Sequence, residues 1–140
     1  MSDPGKSEIE NGCKDLQKAF QGILSWKWDG RFETVLAEFG VKKKDQIRAV
    51  LQGTLRNSWE GSSIGKAPAP VQSVSGRLGG LRPGQLLMTS EPQGDAFLFC
   101  AWWPWGDEKT ISIRIAPAYP NVPPAERAEH AGQLKSWFGI

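Results

Sequence analysis

The side chains able to move a proton or hold a metal are few, and their spacing limits what they can do. His130 is the sole histidine and stands between Glu129 and Ala131, with no second imidazole to share metal or proton work. Cys13 and Cys100 lie far apart and lack the paired spacing of zinc ligands, so a conventional zinc site is not expected. Nothing near His130 in sequence supplies a nucleophile for it to activate, and it reads as a solvent-facing helix residue. Glu126 with Glu129, and Asp107 with Glu108, are close enough in sequence to suggest acid–base work. A general acid, however, needs a carboxyl desolvated enough to raise its pKa, and both pairs sit in polar surroundings. No catalytic residue, metal or cofactor is assigned, and an enzyme is the less favoured class.

Two stretches invite an anion. Gly61-Ser62-Ser63-Ile64-Gly65-Lys66 is a residue short of a phosphate-binding loop, is followed by Ala67 rather than a hydroxyl residue, and follows a predicted helix instead of a strand; it reads as linker. The glycines from Gly76 to Gly84 surround Arg77 and Arg82, which makes these arginines candidate anion ligands beside a backbone nest, with a pair of tight turns as the plainer alternative. A basic stretch, Lys42, Lys43, Lys44 and Arg48 with Arg56 further on, could meet nucleic-acid phosphates from one end of a helix. The preceding Leu36 to Val41 segment resembles the turn of a helix-turn-helix, one residue short.

Tryptophan is the unusual component, with 7 in 140 residues and three of them in Trp102-Trp103-Pro104-Trp105. On a strand, Trp102 and Trp103 point to opposite faces, so at least one ring meets solvent or a partner unless both faces are covered. A rigid exposed aromatic cluster buries much area at low entropic cost, which is how many protein interfaces are built. The competing reading puts the same rings in an ordinary core beneath helices. Trp26 and Trp28 repeat the question at a predicted helix end, where one ring reaches the sheet and the other stays on the surface.

The elements that must position these residues can be read from periodicity. Ser7 and Glu10 have capping-box spacing, and Ile9, Cys13, Leu16, Phe20, Ile23 and Leu24 recur at helical steps. Gly12 and Gly22 are the weak points of that helix. After a turn at Asp29-Gly30, Phe32, Val35, Leu36 and Phe39 predict a short second helix closed by Gly40, and Ile47, Val50, Leu51, Leu55 and Trp59 predict a third from about Lys44 to Trp59.

Residues 61–70 collect Gly, Ser and Pro and are read as the main break in the chain. Beyond it Ile111, Ile113 and Ile115 alternate with polar residues as in a strand, and the apolar run Ala96 to Trp103 pairs with it in a hairpin turning at Trp105 to Glu108. Gln85 to Ser90 reads as a preceding strand joined through Pro92-Gln93-Gly94-Asp95, and Val71 to Ser75 as an edge strand. Ala128, Ala131, Leu134, Trp137 and Phe138 line a last helix, with Pro124 in its first turn and Gly139 past its end.

The expected fold is therefore a single α+β domain: N-terminal helices over 7–60, a linker, then a three- to four-stranded antiparallel meander and a C-terminal helix over 71–139. Net charge is +2, too balanced to imply nucleic acid or an anionic membrane, and no apolar run approaches a membrane span. With buried thiols and no secretory h-region, a cytoplasmic setting is expected. The favoured function is a non-enzymatic binding or regulatory protein that contacts another protein, or a second copy of itself, through Trp102, Trp103 and Trp105. A small-ligand-binding domain or an enzyme without metal or histidine chemistry ranks second, and a nucleic-acid-binding domain using residues 42–56 third.

Overall fold

Ile111, Ile113 and Ile115 mark the strand that organises the rest of the chain. The computed structural model describes residues 4–91, 96–119 and 122–140, so the expected turn Pro92-Gln93-Gly94-Asp95 lies outside the described residues. Helix α1 (Pro4–Ala19) precedes β1 (Lys27–Asp29) and β2 (Thr34–Gly40); then come α2 (Lys44–Thr54), β3 (Asn57–Trp59) and α3 (Ala69–Arg77), and finally β4 (Leu86–Thr89), β5 (Phe97–Pro104), β6 (Thr110–Ala118) and α4 (Pro124–Trp137). The class is α+β, with one six-stranded antiparallel sheet in the order β1-β2-β6-β5-β4-β3. The β4-β5-β6 meander and the last helix are as expected. The three further strands come from the half expected to be helical.

The second predicted helix is β2. Phe32, Val35, Leu36 and Phe39 fit a helical step, but Val35, Ala37 and Phe39 also fit an alternation of two, and the latter prevails because each sits opposite an isoleucine of β6: Val35 on Ile115, Ala37 on Ile113, Phe39 on Ile111. With this segment a strand, the helix-turn-helix resemblance lapses. The third predicted helix stops at Thr54, and its last expected residue, Trp59, belongs to β3, where it donates from Nε1 to Thr89 Oγ1 at 3.1 Å.

The expected edge strand at 71–75 is instead α3, entered through Pro70, with Val71, Val74 and Ser75 buried at helical spacing. Gly79 and Gly80, at φ +91 and +82, close α3: the Gly80 N–H donates to the Ser75 carbonyl at 2.8 Å, so a backbone donor of the candidate anion nest serves as a helix cap, nearer the plainer reading of tight turns. The predicted linker holds a 3-10 turn at Ile64–Lys66 and the start of α3, and β3 before it pairs with β4 after it.

Helix α1 already includes Pro4, so Ser7 stands inside it rather than capping it, and Glu10 accepts from Lys14 Nζ at 2.7 Å. It ends at Ala19, short of Ile23 and Leu24, because Gly22 turns the chain at φ +81. Gly12 is a point of close approach: a Cβ there would meet Leu98 Cδ2 and Thr54 Cγ2, each at 3.3 Å. Helix α1 thereby lies tight against β5 and α2.

One face of the sheet, the inner face, carries Val35, Ala37, Leu98, Cys100, Ile113 and Ile115, all fully buried with Ile9, Cys13, Leu16 and Phe20 of α1 and its following turn. Helices α1, α2 and α4 cover it. The outer face is covered only in part: Val71 and Val74 of α3 share the core with Phe97 and Phe99, whereas its β1-β2-β6 side carries Lys27, Asp29, Glu38 and Arg114. No helix among the described residues is long and apolar enough to cross a membrane.

Candidate functional site

The three tryptophans of the sequence motif go to three different places. Trp102 is on the inner face, only 5% exposed, with its ring edge-on to Phe39 at 5.5 Å. Trp103, half-buried on the outer face, meets Phe32 edge-on at 5.6 Å and lies under the Arg114 guanidinium at 4.3 Å. Trp105 is 44% exposed just past β5, where its backbone N–H still donates to the Thr110 carbonyl at 2.8 Å. A single aromatic patch is thus not formed. Trp26 and Trp28 divide less than expected: both are half-buried, Trp26 against Phe20 and Phe138, Trp28 beneath Lys135 Nζ at 4.6 Å.

Two sites predicted separately do meet. A groove of about 500 Å³ between α2 and the tip of the β5–β6 hairpin is lined by Trp102, Pro104, Leu86 and Ile111 as its apolar floor, and by Lys44 and Arg48 of the basic stretch on its rim. Asp45, Glu60 and Glu108 line it too, so the rim carries both signs. Lys42 and Lys43 are exposed on the 3-10 turn before α2, while Arg56 lines another hollow beside Glu8 and Glu91. The basic stretch is therefore dispersed over two places.

The hairpin tip is held by Asp107. Its carboxylate accepts from the backbone N–H groups of Lys109 and Thr110 at 2.8 and 3.0 Å and from the Thr110 hydroxyl at 3.0 Å. These bonds, the Lys109 one foremost, hold the Asp107 carboxyl below its usual range, which suits a turn anchor and not a proton donor. Glu126 and Glu129 are exposed on the first half of α4.

On the outer face, Arg114 Nε donates to Asp29 Oδ2 at 2.7 Å, and the two side chains are only 16% and 12% exposed. Burial alone would raise the Asp29 carboxyl. The bonds from Arg114 and from the backbone N–H groups of Arg31 and Phe32 outweigh it, with the Arg114 charge, and hold the carboxyl low. Arg114 is stacked as well as paired, over Trp103 and within 5.8 Å of Phe32, and it donates from Nη1 to Ser112 Oγ at 3.2 Å.

Arg77 and Arg82 are not brought together. Arg82 lines a shallow hollow with Glu60 and Leu81, whereas Arg77 lines a cleft at the far end of β6 from the hairpin. That cleft consists of two adjoining hollows, of about 170 and 250 Å³, which share Glu33, Arg77, Pro117 and Arg127. Arg31 and Phe32 line one of them and His130 the other. His130 is half-buried against Tyr119, ring centroids 4.4 Å apart, rather than solvent-facing as expected. Glu33 takes φ +57, a left-handed conformation that disfavours a non-glycine residue by roughly 1 kcal/mol. No local pattern in the sequence marks Arg31 and Arg127, because only folding brings them to the cleft that Arg77 lines.

Cys13 and Cys100 are fully buried free thiols, and burial pushes both far up from their ordinary value. Among the described residues no group of three or more His, Cys, Asp or Glu side chains is placed to hold a metal ion. No protein-family model, curated protein or solved structure matches the chain.

Proposed function

We propose that the protein is a non-enzymatic binding protein whose partner is another protein, received in the groove between α2 and the β5–β6 hairpin. The groove itself carries the reading. Its floor of Trp102, Pro104, Leu86 and Ile111 offers apolar area, while Lys44, Arg48, Asp45, Glu60 and Glu108 line it with both signs of charge. An apolar centre inside a polar rim is the usual anatomy of a protein–protein contact. A rim of mixed sign suits a folded or peptide surface better than the uniform negative charge of nucleic acid.

Trp105 does not line the groove but stands next to its Pro104, and it is the exposed anchor in this reading. It follows Pro104 directly, is one of two exposed large hydrophobic residues among those described, and its backbone is tied to Thr110 in the Asp107-capped turn, so little loop entropy is lost on contact. Trp103 has a different part, since its ring is already engaged with Arg114 and Phe32.

The test is affinity capture with the wild-type chain, Trp105→Ala and Arg82→Gln, with light scattering over a range of concentrations to detect self-association. A partner or second copy held by the wild type and Arg82→Gln, and weakened about thirtyfold or more by Trp105→Ala at unchanged melting temperature, is the expected result. Equal binding by Trp105→Ala overturns the reading.

A further inference from the structure

The cleft at the opposite end of the sheet has a different chemistry from the hairpin groove and does not depend on it. Ile111 at the groove and Pro117 at the cleft are separated by six steps of β6, about 20 Å. Three guanidinium groups line this cleft, from three separate elements: Arg31 in the β1–β2 turn, Arg77 at the end of α3, and Arg127 in α4. Among the described residues none of the three is within ion-pair distance of a carboxylate, although Glu33 lines the same space. Arg31 rests its guanidinium 4.9 Å over the Phe32 ring, which fixes the group without neutralising it. Beside Phe32, the partly exposed apolar wall is formed by Leu78, just past α3, and Pro117 near the end of β6, while Val74 and Phe99 beside them are almost fully buried.

Like charges gathered around one cleft repel one another unless an anion joins them, and the planar guanidinium fork matches the oxygens of a carboxylate or phosphate. The apolar wall gives such an anion a place for a hydrocarbon or aromatic body, and most small-molecule sites combine these two features. We infer that this cleft binds a small organic anion, its carboxylate or phosphate head held by Arg31, Arg77 and Arg127 and its short apolar body laid against Leu78 and Pro117. Glu33 stands as a competing negative charge at the same site, and the ligand head displaces its influence on the arginines.

The full-length chain is titrated by calorimetry with phenyl phosphate, phenylacetate, inorganic phosphate and, as a neutral control, benzyl alcohol. Saturable binding of an organic anion is expected, weakened about tenfold or more by Arg77→Gln and by Arg127→Gln, tightened by Glu33→Gln, and unaffected by Arg82→Gln. Arg77, Arg127 and Glu33 are all exposed, and the melting temperature of each variant confirms that it folds. Tighter binding of phenyl phosphate identifies a phosphate head, and tighter binding of phenylacetate a carboxylate. The inference is overturned by the absence of saturable binding of either up to about 10 mM. Equal losses in Arg82→Gln and Arg77→Gln would show general attraction to positive charge and also overturn it, as would inorganic phosphate or benzyl alcohol binding as tightly as the organic anions.

Discussion

The two faces of the sheet are made from the same strands and do different work. On the inner face, Ile111, Ile113 and Ile115 of β6 meet Phe39, Ala37 and Val35 of β2 and Pro104, Trp102 and Cys100 of β5, under three helices. On the outer face the intervening residues of β6 are Ser112, Arg114 and Ala116, and only the side under α3 is apolar. A strand alternates its side chains, so β6 alone builds an aliphatic core on one side and a charged, aromatic cluster on the other. The inner face is held by shape. The outer face is held by a few specific bonds, each of which can be removed singly.

That contrast is sharpest in the response to truncation. Ile113→Ala, at a fully buried inner position, is expected to lower stability by about 2–5 kcal/mol in denaturant unfolding, since both the transfer energy and a cavity are at stake. A loss below about 1 kcal/mol would mean that the inner face collapses around the gap and is not the tighter one.

Arg114→Ala should come next, at about 1–3 kcal/mol, because it leaves the Asp29 carboxylate shielded from water without its cation. The same variant changes the response to acid. Asp29 is held below its unfolded value in the folded protein, so its contribution is present above about pH 4 and lost as the pH falls through the folded value. Urea unfolding at pH 3 and pH 7 should therefore differ less for Arg114→Ala than for the wild type. An unchanged difference would show that Asp29 is held low by its backbone donors alone.

The smallest change is expected at Trp103→Phe, within about 1 kcal/mol of the wild type. The ring contact with Arg114 weakens, but Nε1, which is buried without an acceptor among the described residues, is removed with it. Melting temperature measures it directly, and a loss as large as that of Arg114→Ala would make the ring contact as important to the outer face as the ion pair.

Where a pattern had one period and one covering layer, it could be read from residue types. The isoleucines of β6, the apolar run of β5 and the proline-to-glycine limits of α4 belong to this kind. Residues 32–39 satisfied two periods at once, and only the distant isoleucine partners of β6 decide between them. The Asp29-Gly30 turn between apolar segments was the local sign of a hairpin there, since this dipeptide favours tight reversals between strands. Helix α3 was hidden because Pro68 and Pro70 read as linker, although proline also begins helices and Val71, Val74 and Leu78 follow at helical steps. The candidate sites were legible only in pieces. Trp102 and Arg48 stand apart in the sequence and share a groove, whereas Arg77 stands out without Arg31 and Arg127, which join it only through the fold.

The position of β6 between β2 and β5 also sets an order of events during synthesis. Val35 pairs with Ile115, eighty positions later, so at typical translation rates β2 waits roughly 4–16 s for its partner to be made. Until then β1 and β2 form at most an isolated two-stranded ribbon, which is marginal in water, with Val35, Ala37 and Phe39 uncovered. Among themselves β4, β5 and β6 pair only with sequence neighbours, so this meander can form as soon as it is made. The nascent N-terminal half is thus the part most exposed to aggregation and to chaperones, and its hydrophobic segment is sheltered only when the last strand arrives.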